Sequence, residues 1–113
     1  MEEISTEELK AKLDRGDDFK LVMTLADWAY QMSHIPGSLN VNNLEQAEQL
    51  LDLDDEIVVY CSDIQCIASQ AAYHYLTRHG FTNVRRYSGG LSAWLAAGLP
   101  LEGDAHQQRL DRR

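Results

Sequence analysis

The chain of 113 residues carries two cysteines, Cys61 and Cys66, spaced Cys-x4-Cys within the stretch EIVVYCSDIQCIASQAAYHYL. That spacing fits three kinds of chemistry. The pair could be a nucleophile with a partner thiol, a fragment of a metal site, or two inert small side chains. Context separates them. The apolar, β-branched run IVVYC is the most strand-like in the chain, and a helical pattern resumes near Ala68 or Ser69. Cys61 therefore falls at the carboxyl end of a strand, with the residues between free to wrap around its sulfur. Backbone N–H groups of such a loop, with the positive end of the helix behind it, favour a thiolate and can hold an anionic group. Cysteine is also a common small residue at the end of a core strand, and the strand–Cys–loop–helix sequence is what favours reactivity here.

The surrounding elements alternate. ISTEELKAKLDRG reads as a short strand entry and then a helix with a Ser5/Glu8 capping box, closed by Gly16. FKLVM is a buried strand, and TLADWAYQM a short helix expected to start at Thr24 with Trp28 and Met32 on one side. SHIPGSLNV is a turn and short strand, NLEQAEQLLDL a helix, ASQAAYHYLTRHG a helix ended by Gly80, NVRRY a strand, and LSAWLAAG a helix closed by Gly98 and Pro100. Trp28, Tyr30 and Trp94 are expected as core or rim aromatics, and Arg85-Arg86 as a solvated strand edge. Strands alternating with helices predict an α/β fold: a central parallel sheet of about five strands with helices on both faces. Ligands of such sheets bind beyond the carboxyl ends of the strands, where Cys61 lies. Residues 1–103 are expected to form one domain, and 104–113 a polar C-terminal tail.

Hydrophobic residues make up 44% of the chain and charged ones 25%, an ordinary globular balance. A net charge of −8 argues against nucleic acid or an anionic membrane as the main partner, so an anionic substrate would have to be attracted locally. No apolar run approaches the roughly 20 residues of a membrane span. The acidic start MEEIST, with no apolar segment after it, points to a cytoplasmic protein. In that compartment the cysteines are expected as reduced thiols. Neither zinc nor another cofactor is expected, since Cys-x4-Cys supplies two ligands and His34, His74, His79 and His106 are scattered. His34, in the His-Ile-Pro-Gly turn, is expected to be a hydrogen-bonded structural residue.

The segments ISTEELKAKLDRGDDFKLV, HIPGSLNV, IVVYCSDIQCIASQAAYHYLTRHGFTNV and YSGGLSAWLAAGLPLE together resemble a single-domain rhodanese, from about Ile4 to Glu102. The resemblance implies a sulfurtransferase fold and activity. The cysteine after the fourth core strand, Cys61 by position, would take sulfane sulfur from a donor such as thiosulfate and hold it as a persulfide. A thiol, cyanide or an acceptor protein would then remove it. Ser62, Asp63, Ile64, Gln65, Cys66 and Ile67 would form the substrate-binding loop. The chain departs from the family pattern in three ways. Cys66 occupies the slot of the usual loop arginine, and the loop is about one residue longer. Met23, Leu25 and Ala29 replace the usual Asp-x-Arg and the glutamate after it. With no basic residue from Ser62 to Ile67, and with Asp63 present, thiosulfate is expected to bind weakly. Phosphatases and arsenate reductases of related fold need an arginine that neither Cys66 nor Ile67 supplies. Cys66 is open between a resolving thiol, which would leave a Cys61–Cys66 disulfide, and a small residue packed under the loop. The alternative to an enzyme is a non-catalytic rhodanese module that binds a partner or senses oxidation.

Overall fold

Nine helices and strands follow one another through the described part of the chain, residues 1–105 of a computed structural model. In order they are α1 (Thr6–Arg15), β1 (Lys20–Met23), α2 (Asp27–Met32), β2 (Leu39–Asn40), α3 (Leu44–Leu50), β3 (Glu56–Tyr60), α4 (Ala68–Arg78), β4 (Asn83–Arg86) and α5 (Gly90–Ala96). The strands pair in parallel in the order β2-β1-β3-β4. The expected sheet of about five strands is, among the described residues, four strands plus a parallel bridge from Glu3 to Arg86 at the β4 edge. Helices cover both faces, as strand alternation requires. Leu21, Met23, Val58 and Tyr60 pack with Leu9 of α1 and Trp94 of α5. Val22, Ile57 and Val59 pack on the opposite face with Ala47 of α3 and Leu76 of α4. Of the tail expected at 104–113, residues 106–113, including His106, lie outside the described residues.

Local signals set most boundaries. Ser5 Oγ accepts the Glu8 N–H at the start of α1, and Gly16 ends it at φ 70°. Asn43 caps α3 by accepting the Gln46 N–H. Thr24 does not cap α2, which starts three residues later. Its N–H and Oγ1 instead donate to the Tyr60 carbonyl, because β1 ends beside β3 and the chain stays extended there. Trp28 and Met32 are exposed rather than packed, and Trp94 is buried with its Nε1–H donated to Pro100 O at 2.9 Å. Among the described residues no helix is long and apolar enough to cross a membrane.

The two arginines of β4 also differ from expectation. Successive residues of a strand point to opposite faces, so the pair is split. Arg85 donates to Glu8 Oε2 at 2.8 Å and Glu56 Oε2 at 3.2 Å on the α1 side. The same guanidinium holds the Glu8 carboxyl below its ordinary range. Arg86 turns to the α4 side and is 4% exposed. Neither is a solvated edge.

Candidate active site

Cys61 follows directly on β3, and the main chain from Val59 to Cys61 is clamped by three segments. Tyr87 N–H donates to Val59 O at 2.8 Å, Thr24 N–H to Tyr60 O at 3.1 Å, and Leu91 N–H to Cys61 O at 3.0 Å. Ser92 N–H then takes Ser62 O at 2.8 Å. The last two donors belong to the first turn of α5, where N–H groups lack partners within the helix. Gly90 makes this docking possible. Its φ is +60°, and a Cβ built there would stand 2.3 Å from Cys61 O. The Ser-Gly-Gly turn therefore fixes the cysteine's carbonyl, a role that a turn signal in sequence does not reveal.

The loop Ser62–Ile67 is organised on Asp63, whose carbonyl accepts the Cys66 N–H at 3.1 Å and whose Oδ1 accepts the Gln65 N–H at 3.0 Å. These amides face Asp63 and not the sulfur. Among the described residues no backbone N–H donates to Cys61 Sγ, so the expected nest is absent in this state. The helix does begin at Ala68, as expected. Asp63, Ile64, Gln65 and Ile67 are exposed, Ser62 and Cys66 half-buried, and Cys61 is 1% exposed.

Cys61 and Cys66 are joined in a disulfide with Cα atoms 6.5 Å apart, within the roughly 4.4–6.8 Å that a bridge requires. The expectation of two reduced thiols does not describe this state. Spacing left open whether the side chains face each other, and the turn at Asp63 brings them together. Cys66 is then neither remote from Cys61 nor simply packed beneath the loop.

On the inner side of the loop lies a polar group that the sequence reading missed. Ser69 Oγ is 3.5 Å from Cys61 Sγ, and Arg86 Nε–H donates to the same Oγ at 2.9 Å. Since that oxygen accepts from Arg86, its own proton is available to the sulfur. Arg86 Nη2 also reaches Ile64 O at 3.3 Å and Cys66 O at 3.4 Å, bracing the loop from below. The signal was present as a phase relation: Arg86 pairs with Val59, and Val59 and Cys61 share a face. Reading it required the register of β3 against β4.

His34 takes no part in these hydrogen bonds among the described residues. Its Nδ1–H donates to Tyr30 O at 2.7 Å and its ring stacks on Tyr30, the structural role expected of it. An open cavity of about 480 Å³ lies on the α3–α4 face and reaches from Val22 and Thr24 to Ala68, the first residue of α4.

Residues 5–97 match the family model described as rhodanese-like domain. The chain is 36% identical over 78 residues to the HTH-type transcriptional regulator Rv0324 of Mycobacterium tuberculosis, covering 67% of this chain and 34% of the regulator. It is 37% identical over 71 residues to the thiosulfate sulfurtransferase GlpE of Pseudoalteromonas translucida, covering 61% of this chain and 66% of that protein. It thus spans about a third of the first relative's length and slightly under two thirds of the second's. The solution structure of the rhodanese-like domain of the Anabaena Alr3790 protein superposes with a TM-score of 0.83 at 28% identity, covering 94% of this chain and 82% of that one.

Proposed function

Because the chain belongs to the rhodanese-like domain family, we propose that it carries sulfane sulfur on Cys61 and passes it to a thiol or cyanide acceptor. The observation that carries this reading is the placement of Cys61. It stands at the carboxyl edge of a parallel sheet, its carbonyl gripped by α5 and its sulfur beside Ser69, whose hydroxyl Arg86 holds. Two equivalents of a thiol first reduce the disulfide by exchange, leaving as their own disulfide and freeing the Cys61 thiolate and Cys66. That thiolate attacks the outer sulfur of a donor such as thiosulfate; the donor's S–S bond breaks and sulfite departs with the electron pair. Cys61 then bears a persulfide anion. An acceptor thiolate attacks the outer persulfide sulfur, becomes a persulfide itself and returns Cys61 as a thiolate. Cyanide leaves as thiocyanate by the same displacement. Cys66 competes with transfer when its thiolate attacks the inner sulfur of the protonated persulfide, expels hydrosulfide and closes the disulfide. The name of the Pseudoalteromonas relative supports thiosulfate as donor. The loop, with Asp63 and no cation of its own, favours a less charged donor such as a low-molecular-weight persulfide.

The disulfide and the burial of Cys61 favour a second reading, a rhodanese module that reports oxidation. The kinship with a named transcriptional regulator is compatible with it. Mass spectrometry of the reduced protein after exposure to thiosulfate or to a small persulfide separates the two. Sulfur transfer predicts a gain of one sulfur on Cys61, its release by added thiol, and loss of both in Cys61→Ser. Reduced wild type that takes up no sulfur from either donor, or Cys61→Ser that transfers normally, refutes it.

A further inference from the structure

Arg86 is a buried guanidinium whose contacts are all neutral. It is 4% exposed and bonded to Ser69 Oγ, Ile64 O and Cys66 O, and among the described residues no carboxylate is paired with it. A buried cation without an anion is costly. Here the cost is compounded, because the start of α4, the positive end of an 11-residue helix, lies over the same spot. Two positive features converge on one place, and the Ser69 Oγ that Arg86 holds there is 3.5 Å from the Cys61 sulfur. In the disulfide that sulfur is neutral. On reduction it can become the missing anion.

We infer that Arg86, acting through Ser69, is the cationic positioning residue that holds Cys61 as a thiolate and then as a persulfide anion. It would supply from β4 the positive charge that the loop lacks. The β3–β4 register builds this arrangement: Arg86 lies opposite Val59, and Cys61 is the next residue on that face. A one-residue slip would send Arg86 to the α1 side. Ser69 Oγ accepts from the guanidinium and lies 3.5 Å from the sulfur, so its proton is free to be donated to a thiolate there, and a hydrogen bond to the charged form favours that form. Other titratable groups on the elements packed here do not oppose the pair at contact distance. Asp63 is exposed and turned to the Gln65 amide. Glu2 and Glu3 at the β4 edge are exposed, and Glu2 N–H is donated to the Tyr73 hydroxyl on α4. Among the described residues His74, Tyr75, Arg78 and His79 on α4 share no hydrogen bond or ion pair with Arg86, and α5 carries no titratable side chain. The inference rests on Cys61 being the nucleophile.

The test reads the acidity of Cys61 and needs no sulfur donor, so its failure is distinct from failure of sulfur transfer. In a Cys66→Ser background, iodoacetamide alkylation of Cys61 is followed against pH for the parent, Arg86→Gln, Arg86→Lys and Ser69→Ala, with folding checked by circular dichroism. Arg86→Gln should raise the apparent pKa by about one unit, a roughly tenfold slower reaction near pH 6.5, with little change in the limiting rate at high pH. Arg86→Lys should keep most of the parent profile. Ser69→Ala should slow the reaction near pH 6.5 by about threefold. A folded Arg86→Gln protein with the parent profile overturns the inference, as does a lysine variant that shifts as far as the glutamine one. Should Arg86→Gln not fold, Ser69→Ala decides: an unchanged profile refutes the relay.

Discussion

Replacing Gly90 by alanine tests how the cysteine is positioned, because the same change can be made where only the backbone angle matters. At Gly90 the new methyl would fall 2.3 Å from Cys61 O and 2.9 Å from the Ser62 carbonyl carbon, both main-chain atoms that cannot swing aside. The left-handed φ of +60° costs an L-residue roughly 1–2 kcal/mol. Relieving the clash separates α5 from the loop and weakens the Leu91–Cys61 and Ser92–Ser62 hydrogen bonds, at roughly 0.5–1.5 kcal/mol each. The sum is roughly 2–5 kcal/mol. Gly16 and Gly98 have φ of 70° and 76° with nothing within 4 Å of a built Cβ, so alanine there incurs only the angular cost. Urea unfolding of the three variants, all held oxidised or all held reduced, isolates the close approach. Gly90→Ala should lose about 1–3 kcal/mol more than the other two, which lowers its midpoint by a further 1 M or so at an m-value of about 2 kcal/mol/M. A Gly90→Ala midpoint equal to those of Gly16→Ala and Gly98→Ala would refute the claim that α5 docks on the Cys61 carbonyl.

Three other outcomes follow from the same geometry. Oxidised protein treated with an excess of a monothiol, then quenched with an alkylating agent, should carry the mixed disulfide on Cys66 and the alkyl group on Cys61. The half-buried sulfur is attacked and the buried one leaves; peptide mass spectrometry showing both sites equally modified would contradict it. Tyr60→Phe should cost about 1–3 kcal/mol by urea unfolding, since the buried hydroxyl accepts the Ile35 N–H at 2.9 Å and meets Ser38 Oγ at 2.9 Å. Burial pushes the Tyr60 phenol up to about 12, so the folded state keeps a proton that the unfolded chain releases near pH 10. That contribution is complete below pH 10 and is lost as pH rises toward 12, by about 1.4 kcal/mol per unit. Alkaline unfolding of Tyr60→Phe should show a shallower slope in that window.

The sequence by itself determined the parts of this protein that depend on local chemistry and period. The Ser5 cap, the Gly16 stop and the onset of α4 at Ala68 stand where short-range hydrogen bonding and helix periodicity put them. The parallel sheet followed from continuous apolar strands alternating with helices, and the position of Cys61 at its carboxyl edge from the abrupt change of period after Tyr60. What lay beyond reach in each case depended on a second segment. Thr24 left its expected helix because the Tyr60 carbonyl, 36 residues away, offered it a partner. Cys66 met Cys61 because Asp63 turned the loop. Arg86, in sequence one of two surface-like charges, became the buried cation of the site because strand alternation and the β3–β4 register aimed it at Ser69. Spacing along a chain fixes which side of its own element a residue occupies. Which groups meet across elements is settled only by register and docking, and in this protein those decide the charge and the bonding around the Cys61 sulfur.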